Sequence, residues 1–356
     1  MVVDKRILSD TITWVRFPLI WMVVLLHTII SPQIYNGEVF LKPGDFPIFD
    51  WFQYFSQRQI GDIAVPTFML ISGYLFFRGG LMTIGIYKEK LKSRVHTLLI
   101  PYLIWNLLFL FYIFVCYWIV PSLMSSMGDY VRNFTFISLL DSFFSPVLAP
   151  MWFIRDLIFL NLLAYPIYCI FKRVGFFFII CLMCLFLFKI CYSIPLIGVR
   201  SLFPFCLGAY LSISKQSFFY SLIKRWYWIP FMYIVLLLID TYRFIYGEEI
   251  VIVHQLLLLI GVLLFLMSIY VMIKRGMLRP NKQLANTSFF VFAFHMFFIN
   301  ILNKFWPVVL SVNTFTSILV QVLIPTITCS ICVSLFYLFR WLMPSLSAIL
   351  VGGRNK

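Results

Sequence analysis

Apolar runs of about twenty residues recur along the whole chain, from VRFPLIWMVVLLHTII at 15–30 to TSILVQVLIPTITCSICVSLFYLFRWL at 316–342. Each is long enough, as a helix rising about 1.5 Å per residue, to cross about 30 Å of hydrocarbon. Of the 356 residues, 62% are hydrophobic and only 12% charged, whereas a soluble domain is about half apolar and about a quarter charged. A water-soluble core cannot hide that much Phe, Ile and Leu. The chain therefore reads as an all-α polytopic membrane protein, with ten expected spans at roughly 17–35, 61–78, 97–120, 151–171, 174–190, 196–213, 227–246, 251–273, 286–304 and 317–341.

The net charge of +15 would suit a nucleic-acid binder if it were uniform, but it alternates between successive connections. Placing the N-terminus in the cytoplasm puts Lys5, Arg6, Lys88, Lys90, Lys92, Arg94, Lys172 and Arg173 inside. Lys215, Lys224, Arg225, Lys274, Arg275, Arg279, Lys282, Arg354 and Lys356 follow them. Glu38, Asp45, Asp50, Asp129, Asp141, Glu248 and Glu249 then lie outside, with few cations. This is the positive-inside pattern. It predicts both termini in the cytoplasm, a lipid bilayer as the partner of the basic residues, and no nucleic acid.

No cleavable signal peptide is expected, because the first span is not followed by a small-residue cleavage site. The eight cysteines lie in or beside apolar runs, and neither Cys181–Cys184 nor Cys329–Cys332 has His or Cys partners at metal-ligand spacing. They read as small packing residues, and no metal is expected. Two long outer connections, 36–60 and 121–150, are polar, aromatic and Pro-containing. They either roof an outward-facing site or rest on the membrane surface. The Asn133-Phe134-Thr135 sequon reads as accidental. No internal repeat is evident, so residues 1–356 are expected to form a single membrane domain.

Ionisable residues are costly inside a span and mark function by default. Arg16 and His27 are eleven residues apart, which on a helix is three turns plus about 20°, an axial separation of about 16 Å on one face. Arg16 is expected at the cytoplasmic mouth and His27 near the midplane. Arginine suits phosphate through its rigid fork of donors, and imidazole suits deprotonation of a hydroxyl. An acyl-coenzyme A, with its phosphates at the mouth and its thioester further in, meets both demands. Taken singly, Arg16 also suits a snorkelling anchor and His27 a hydrogen-bonded core histidine.

With that pair on the page, the chain resembles the acyltransferase-3 family of bacterial integral-membrane O-acyltransferases. The likeness rests on Arg16-x10-His27, IAVPTFMLISGYLFFR (63–78), RVHTLLIPYLIWN (94–106), PMWFIRDLIFL (150–160), FPFCLGAYL (203–211) and SFFVFAFH (288–295), in that order. It runs from about residue 8 to 340. The resemblance implies a cytoplasmic acyl-CoA donor, His27 as the catalytic residue and Arg16 as a donor-site residue; Ser72, Arg78, Lys92 and Arg94 are further candidates for binding the acyl-CoA. One departure is Thr97, which stands where the family often repeats the arginine of the basic loop, with Lys92 or His96 as possible substitutes for that cation.

Other residues are weighed on their positions. His295 is expected at a depth like that of His27, facing it across the bundle or else simply packing. Ser72 and Gly73 allow either close helix contact or room for a pantetheine arm. Trp152, Arg155 and Asp156 open the fourth span on the outer side, where they suit a carbohydrate acceptor or the membrane interface. Because adjacent helical residues point about 100° apart, Arg155 and Asp156 are not expected to pair with each other. Asp62 and Arg200 are expected on the same acceptor side, His254 as interfacial filler and His96 as a loop residue.

The reading that follows is a multi-pass enzyme of the bacterial inner membrane that moves an acyl group, acetyl in the first instance, from acetyl-CoA or another acyl-CoA to a hydroxyl of a cell-surface or exported polysaccharide. His27 acts as general base or transient acyl carrier. The alternatives are the same fold transferring succinyl, or a transporter of a lipid-linked glycan or small solute. A transporter predicts paired repeats and broken helices.

Overall fold

A computed structural model describes residues 5–35, 38–119, 128–194, 196–214, 228–247 and 250–353. Of the orienting charges, Lys215, Lys224, Arg225, Glu248, Glu249, Arg354 and Lys356 lie outside these residues.

Helix α1 (Lys5–Leu26) leads into a small antiparallel hairpin of β1 (Gln33–Tyr35) and β2 (Glu38–Leu41). Next, α2 (Pro47–Tyr54) continues through a π-helical turn (Phe55–Ile60) and a 3₁₀ turn (Gly61–Ile63) into α3 (Ala64–Phe76). Helix α4 (Ile84–Arg94) runs on through a π turn into α5 (Ile100–Ile119). Two short helices, α6 (Gly128–Arg132) and α7 (Phe136–Phe144), precede α8 (Trp152–Leu162), α9 (Ala164–Leu187) and α10 (Val199–Ile213). The remainder comprises α11 (Trp228–Tyr246), α12 (Val251–Lys274), α13 (Lys282–Phe294), α14 (Met296–Val309), α15 (Thr314–Leu342) and α16 (Pro344–Leu350).

Among the described residues, seven helices or continuous helical runs are long and apolar enough to cross a membrane, and nine if the bent pairs α7–α8 and α13–α14 each count as one span. Ten spans were expected. The short α10 accounts for part of the difference. The expected spans 151–171 and 174–190 map onto α8 and a single α9 that is broken at Val174 (φ −137°, ψ 29°).

The first span departs most from expectation. It was placed at 17–35, but the helix occupies Lys5–Leu26. Residues 5–16 are amphipathic and continue the helix, burying Thr11, Ile12 and Val15. The other end stops early because Thr28, Ile29 and Ile30 are β-branched and Ser31 precedes Pro32, which biases it toward extended backbone. Side chains from the following run close this end. Gln57 Nε2 donates to the Thr28 carbonyl at 2.7 Å, and Gln53 exchanges two 3.1 Å bonds with the Ser31 backbone. Backbone groups of the non-helical stretch just beyond α1 are satisfied in this way.

Helices α3 and α10 cross in direct backbone contact. A Cβ on Gly73 would sit 2.0 Å from the Phe205 carbonyl oxygen, and one on Gly208 would sit 1.9 Å from that of Leu70. Of the two roles open to the Ser72–Gly73 step, Gly73 takes the packing one. At the basic end, α16 seals the bundle: Trp105 Nε1 donates to the Leu350 carbonyl at 3.0 Å. Gly352 (φ +65°) lies so close to the Thr97 backbone that a Cβ there would be 2.6 Å from its carbonyl oxygen. Position 97 therefore abuts the C-terminal turn.

Candidate active site

Three residues of α1 at helical spacing, Arg16, Ile20 and Val23, and His27 just past its end form one stripe that lines two cavities. The first, of about 270 Å³, is lined by Arg16, Ile20, Ser72, Arg94, Asn161 and Ser288. These come from the basic ends of α1, α3, α8 and α13, together with Arg94 at the end of α4. The second, of about 330 Å³, is lined by Val23, His27, Asp62, Pro66, Trp152 and Arg200, at the opposite ends of the same bundle. Phe68, Phe153 and Phe292 line both. Phe153 lies 5.9 Å from each of the other two, ring centre to ring centre. An aromatic wall therefore stands between the cavities.

The basic cavity is mostly apolar with a few polar groups, the usual make-up of a small-molecule site. Asn161 Nδ2 and Ser288 Oγ are buried there, in residues 2% and 6% exposed, with no hydrogen-bond partner among the described residues. A buried donor left in that state is costly, so both fit a ligand with amide or carbonyl groups. Arg94 and Lys90 lie over the Phe76 ring, at 5.7 and 5.4 Å, and Lys90 also donates to the Phe76 carbonyl. Two expected donor-side residues are elsewhere: Arg78 and Lys92 are exposed and line neither cavity. His96 is likewise exposed.

His27 is not deep inside a straight span. It is the first residue beyond α1, held by its N–H to the Val24 carbonyl at 3.1 Å and by Asn303 Nδ2, which donates to its own carbonyl at 3.0 Å. Its ring faces that of His295 at 5.4 Å between centres. His295 occupies the 67° break between α13 and α14. There its Nδ1 is 2.8 Å from the Phe292 carbonyl. Since a carbonyl only accepts, that contact puts the proton on Nδ1 and leaves Nε2 with a lone pair. Nε2 is buried and has no hydrogen-bond partner among the described residues. The bend frees a carbonyl, the imidazole satisfies it, and the ring is thereby fixed beside His27. Sequence spacing anticipated the facing pair but not the bend, which has neither Pro nor Gly to announce it.

Along the second cavity, the Arg200 guanidinium stacks on Trp152 at 3.7 Å. Arg155 and Asp156 correct the expectation that they would not pair. Arg155 Nε and Nη2 both donate to Asp156 Oδ1, at 3.1 and 2.8 Å. Nη1 donates to the Phe144 carbonyl at 2.7 Å, and Ser201 Oγ donates to Asp156 Oδ2 at 2.6 Å. The 100° offset between neighbours constrains the Cβ directions, but a long Arg stem folds back across it. Both residues are buried and line neither cavity.

His254 is not filler. Its Nδ1 lies 3.4 Å from Asp240 Oδ1 and its Nε2 3.7 Å from Asp62 Oδ2, while Arg58 Nη1 reaches Asp62 Oδ2 at 3.2 Å. Asp240 Oδ2 also accepts from Tyr54 Oη at 3.0 Å and from Gln59 Nε2 at 2.8 Å. In the connection after α9, burial, with Asp62 adding to it, raises the Tyr192 phenol above its ordinary value and keeps it a neutral hydroxyl.

The structure is thus a multi-pass helical bundle with a cavity toward each of its two ends, an aromatic wall between them and an imidazole pair beside that wall. The chain belongs to the acyltransferase-3 family: the family model described as an acyltransferase domain matches residues 10–336. It is a multi-pass membrane member of that family. Over 98 residues it is 37% identical to the succinoglycan biosynthesis protein ExoH of Rhizobium meliloti (strain 1021), a match covering 28% of this chain and 25% of that protein. The chain thus spans about a quarter of the length of that curated relative. No solved structure matches.

Proposed function

We propose that the protein transfers an acyl group from a cytoplasmic acyl-CoA, bound in the basic cavity, to a hydroxyl of a cell-surface or exported polysaccharide admitted through the second cavity. The bacterial inner membrane is the expected location. The supporting observation is the single α1 stripe that carries Arg16 in one cavity and His27 in the other. Arg16 and Arg94 take the coenzyme phosphates, and Ser72, Asn161 and Ser288 line the path of the pantetheine arm. The thioester passes the Phe68–Phe153–Phe292 wall to reach His27. Membership in an acyltransferase family sets the transporter alternative aside.

In the direct route, the His27 imidazole takes the acceptor hydroxyl proton as the oxygen attacks the thioester carbonyl. Collapse of the tetrahedral intermediate forms the ester and breaks the C–S bond. The thiolate leaves and takes the proton from the imidazolium. In the covalent route, the His27 imidazole attacks the thioester carbonyl and the C–S bond breaks to release thiolate and an acyl-imidazolium. The acceptor hydroxyl oxygen then attacks that acyl group, the N–C bond breaks to restore the imidazole, and the hydroxyl proton passes to the thiolate. His295, with its proton directed to the Phe292 carbonyl, positions His27 in either route.

Acetyl is the first donor to test. Succinyl is the second reading, supported by Arg200, whose Nε is buried without a hydrogen-bond partner among the described residues, in a side chain that lines the His27 cavity. A carboxylate on the acyl group would pair with it. The test is coenzyme A release by purified protein in proteoliposomes, with acetyl-CoA and succinyl-CoA compared side by side. Wild type should release thiol, His27→Ala should abolish release, and Arg16→Ala should raise the half-saturating donor concentration about tenfold, the worth of about 1.4 kcal/mol. Neither binding nor turnover of either donor by the wild type would sink the reading. Arg200→Gln should depress succinyl turnover more than acetyl turnover if succinyl is the native group.

A further inference from the structure

A third cavity, of about 610 Å³, opens between the Tyr54–Asp62 run and helices α11 and α12. It shares Arg58, Asp62, Tyr192 and Leu258 with the His27 cavity, so the two adjoin. Its volume lies within the range of roughly 300–1,000 Å³ in which pockets enclose a small organic ligand. The route from Arg16 to His27 makes no use of it.

Its lining suits a polyhydroxyl compound. Tyr54 and Phe244 stack at 4.1 Å, nearly parallel at 16°, and present aromatic surface to the cavity. Asp240 and His254 supply an acceptor and a ring nitrogen a few ångströms apart. Gln255, 1% exposed, has its amide beside the Tyr192 hydroxyl, yet among the described residues its Oε1 has no hydrogen-bond partner although the residue lines the cavity. An amide oxygen buried in that state costs free energy unless a ligand donor reaches it. Sugar rings answer each feature: their axial C–H faces lie on aromatic rings, and their hydroxyls both donate and accept.

We infer that this third cavity binds sugar residues adjoining the one that is acylated, so that the enzyme takes a glycan segment of two or more rings rather than a single sugar. The inference rests on the acceptor being a polysaccharide, as proposed above. The acylated ring occupies the His27 cavity beside Trp152, and its neighbour lies on Tyr54 and Phe244 with hydroxyls directed to Gln255, Asp240 and His254. Binding energy gathered away from the reacting hydroxyl then holds that hydroxyl in place.

The probes are the polysaccharide of the producing strain, oligosaccharides obtained from it by partial acid hydrolysis, and the free monosaccharides from complete hydrolysis. Acyl transfer to each is followed by mass spectrometry in proteoliposomes supplied with the active acyl-CoA. Wild type should reach half-saturation with oligosaccharide at a concentration at least about tenfold lower than with monosaccharide. Gln255→Leu, which keeps bulk but removes the amide, and Phe244→Ala, at a partly exposed position, should each erase most of that preference. Equal use of monosaccharide and oligosaccharide by the wild type would overturn the inference while leaving the acyltransferase reading intact. Full oligosaccharide preference in both variants would also overturn it. If thiol is released but no sugar of any length is acylated, the polysaccharide reading fails and this inference falls with it.

Discussion

Asp156→Ala separates a structural role from an acceptor-binding one at the start of α8. Asp156 is fully buried and accepts three side-chain hydrogen bonds, two from Arg155 and one from Ser201. Its removal leaves the guanidinium buried with only the Phe144 carbonyl as partner, and leaves Ser201 without an acceptor. Breaking one side of a buried pair costs about 3–5 kcal/mol. Two of the three lost bonds, those from Arg155, at about 1.5–3 kcal/mol each, already reach that scale. At roughly 2–4 °C per kcal/mol, the melting temperature in detergent should fall by roughly 6–20 °C. Replacing both partners, Arg155→Met with Asp156→Leu, removes the uncompensated charge and should recover most of that loss. Recovery stays partial, because Arg155 also ties the last residue of α7 to α8 through the Phe144 carbonyl. The assay is heating in detergent followed by size-exclusion chromatography on wild type, both single variants and the double variant. An Asp156→Ala protein that melts with the wild type but has lost transfer to the acceptor would refute this reasoning and return the pair to the acceptor site.

Two further outcomes follow from the cavities. Arg94→Ala should weaken acetyl-CoA or succinyl-CoA binding about tenfold or more by titration calorimetry, the loss expected for one charge-assisted contact. Lys92→Ala and Arg78→Ala, which remove exposed cations outside the cavity, should change it less than about twofold at physiological salt; equal losses at all three positions would mean that the basic end acts only through its overall field. Phe153→Ala removes the ring common to both contacts of the aromatic wall and should raise acyl-CoA hydrolysis in the absence of acceptor about tenfold, followed as free thiol; hydrolysis at the wild-type rate would show that the wall does not hold water away from the thioester.

The sequence carries the parts of this site that depend on one helix and omits those that depend on several. Arg16 and His27 are readable as a pair because ionisable side chains are scarce in apolar runs and eleven residues return a helix to nearly the same face. The helix boundaries are less readable. Averaging over a span-length window hides the amphipathic turns from Lys5 to Val15, and it carries the apparent span past Leu26 into Thr28, Ile29 and Ile30, which are apolar or small but not helical. Asp62, Asp240 and His254 come from three separate segments, so nothing in their spacing announces that one imidazole lies between two carboxylates. Gln53, Gln57 and Asn303, which secure the backbone around His27, were readable only as polar residues in apolar company.

That division bears on how the site works. Spacing along α1 sets the distance from the cation to the imidazole, about 16 Å, and a change of helix register there would move both groups together. The aromatic wall and the His27–His295 contact are instead set by packing among α3, α8, α13 and the break at His295, so they can shift while the α1 stripe stays fixed. A ligand crossing from the basic cavity to His27 therefore needs the rings of Phe68, Phe153 and Phe292 to move and not α1. Side-chain rearrangement of that kind requires no exchange of the whole bundle between two faces. This favours a donor arm threading through a stationary helix frame over the rocking of one bundle half against the other that a transporter uses.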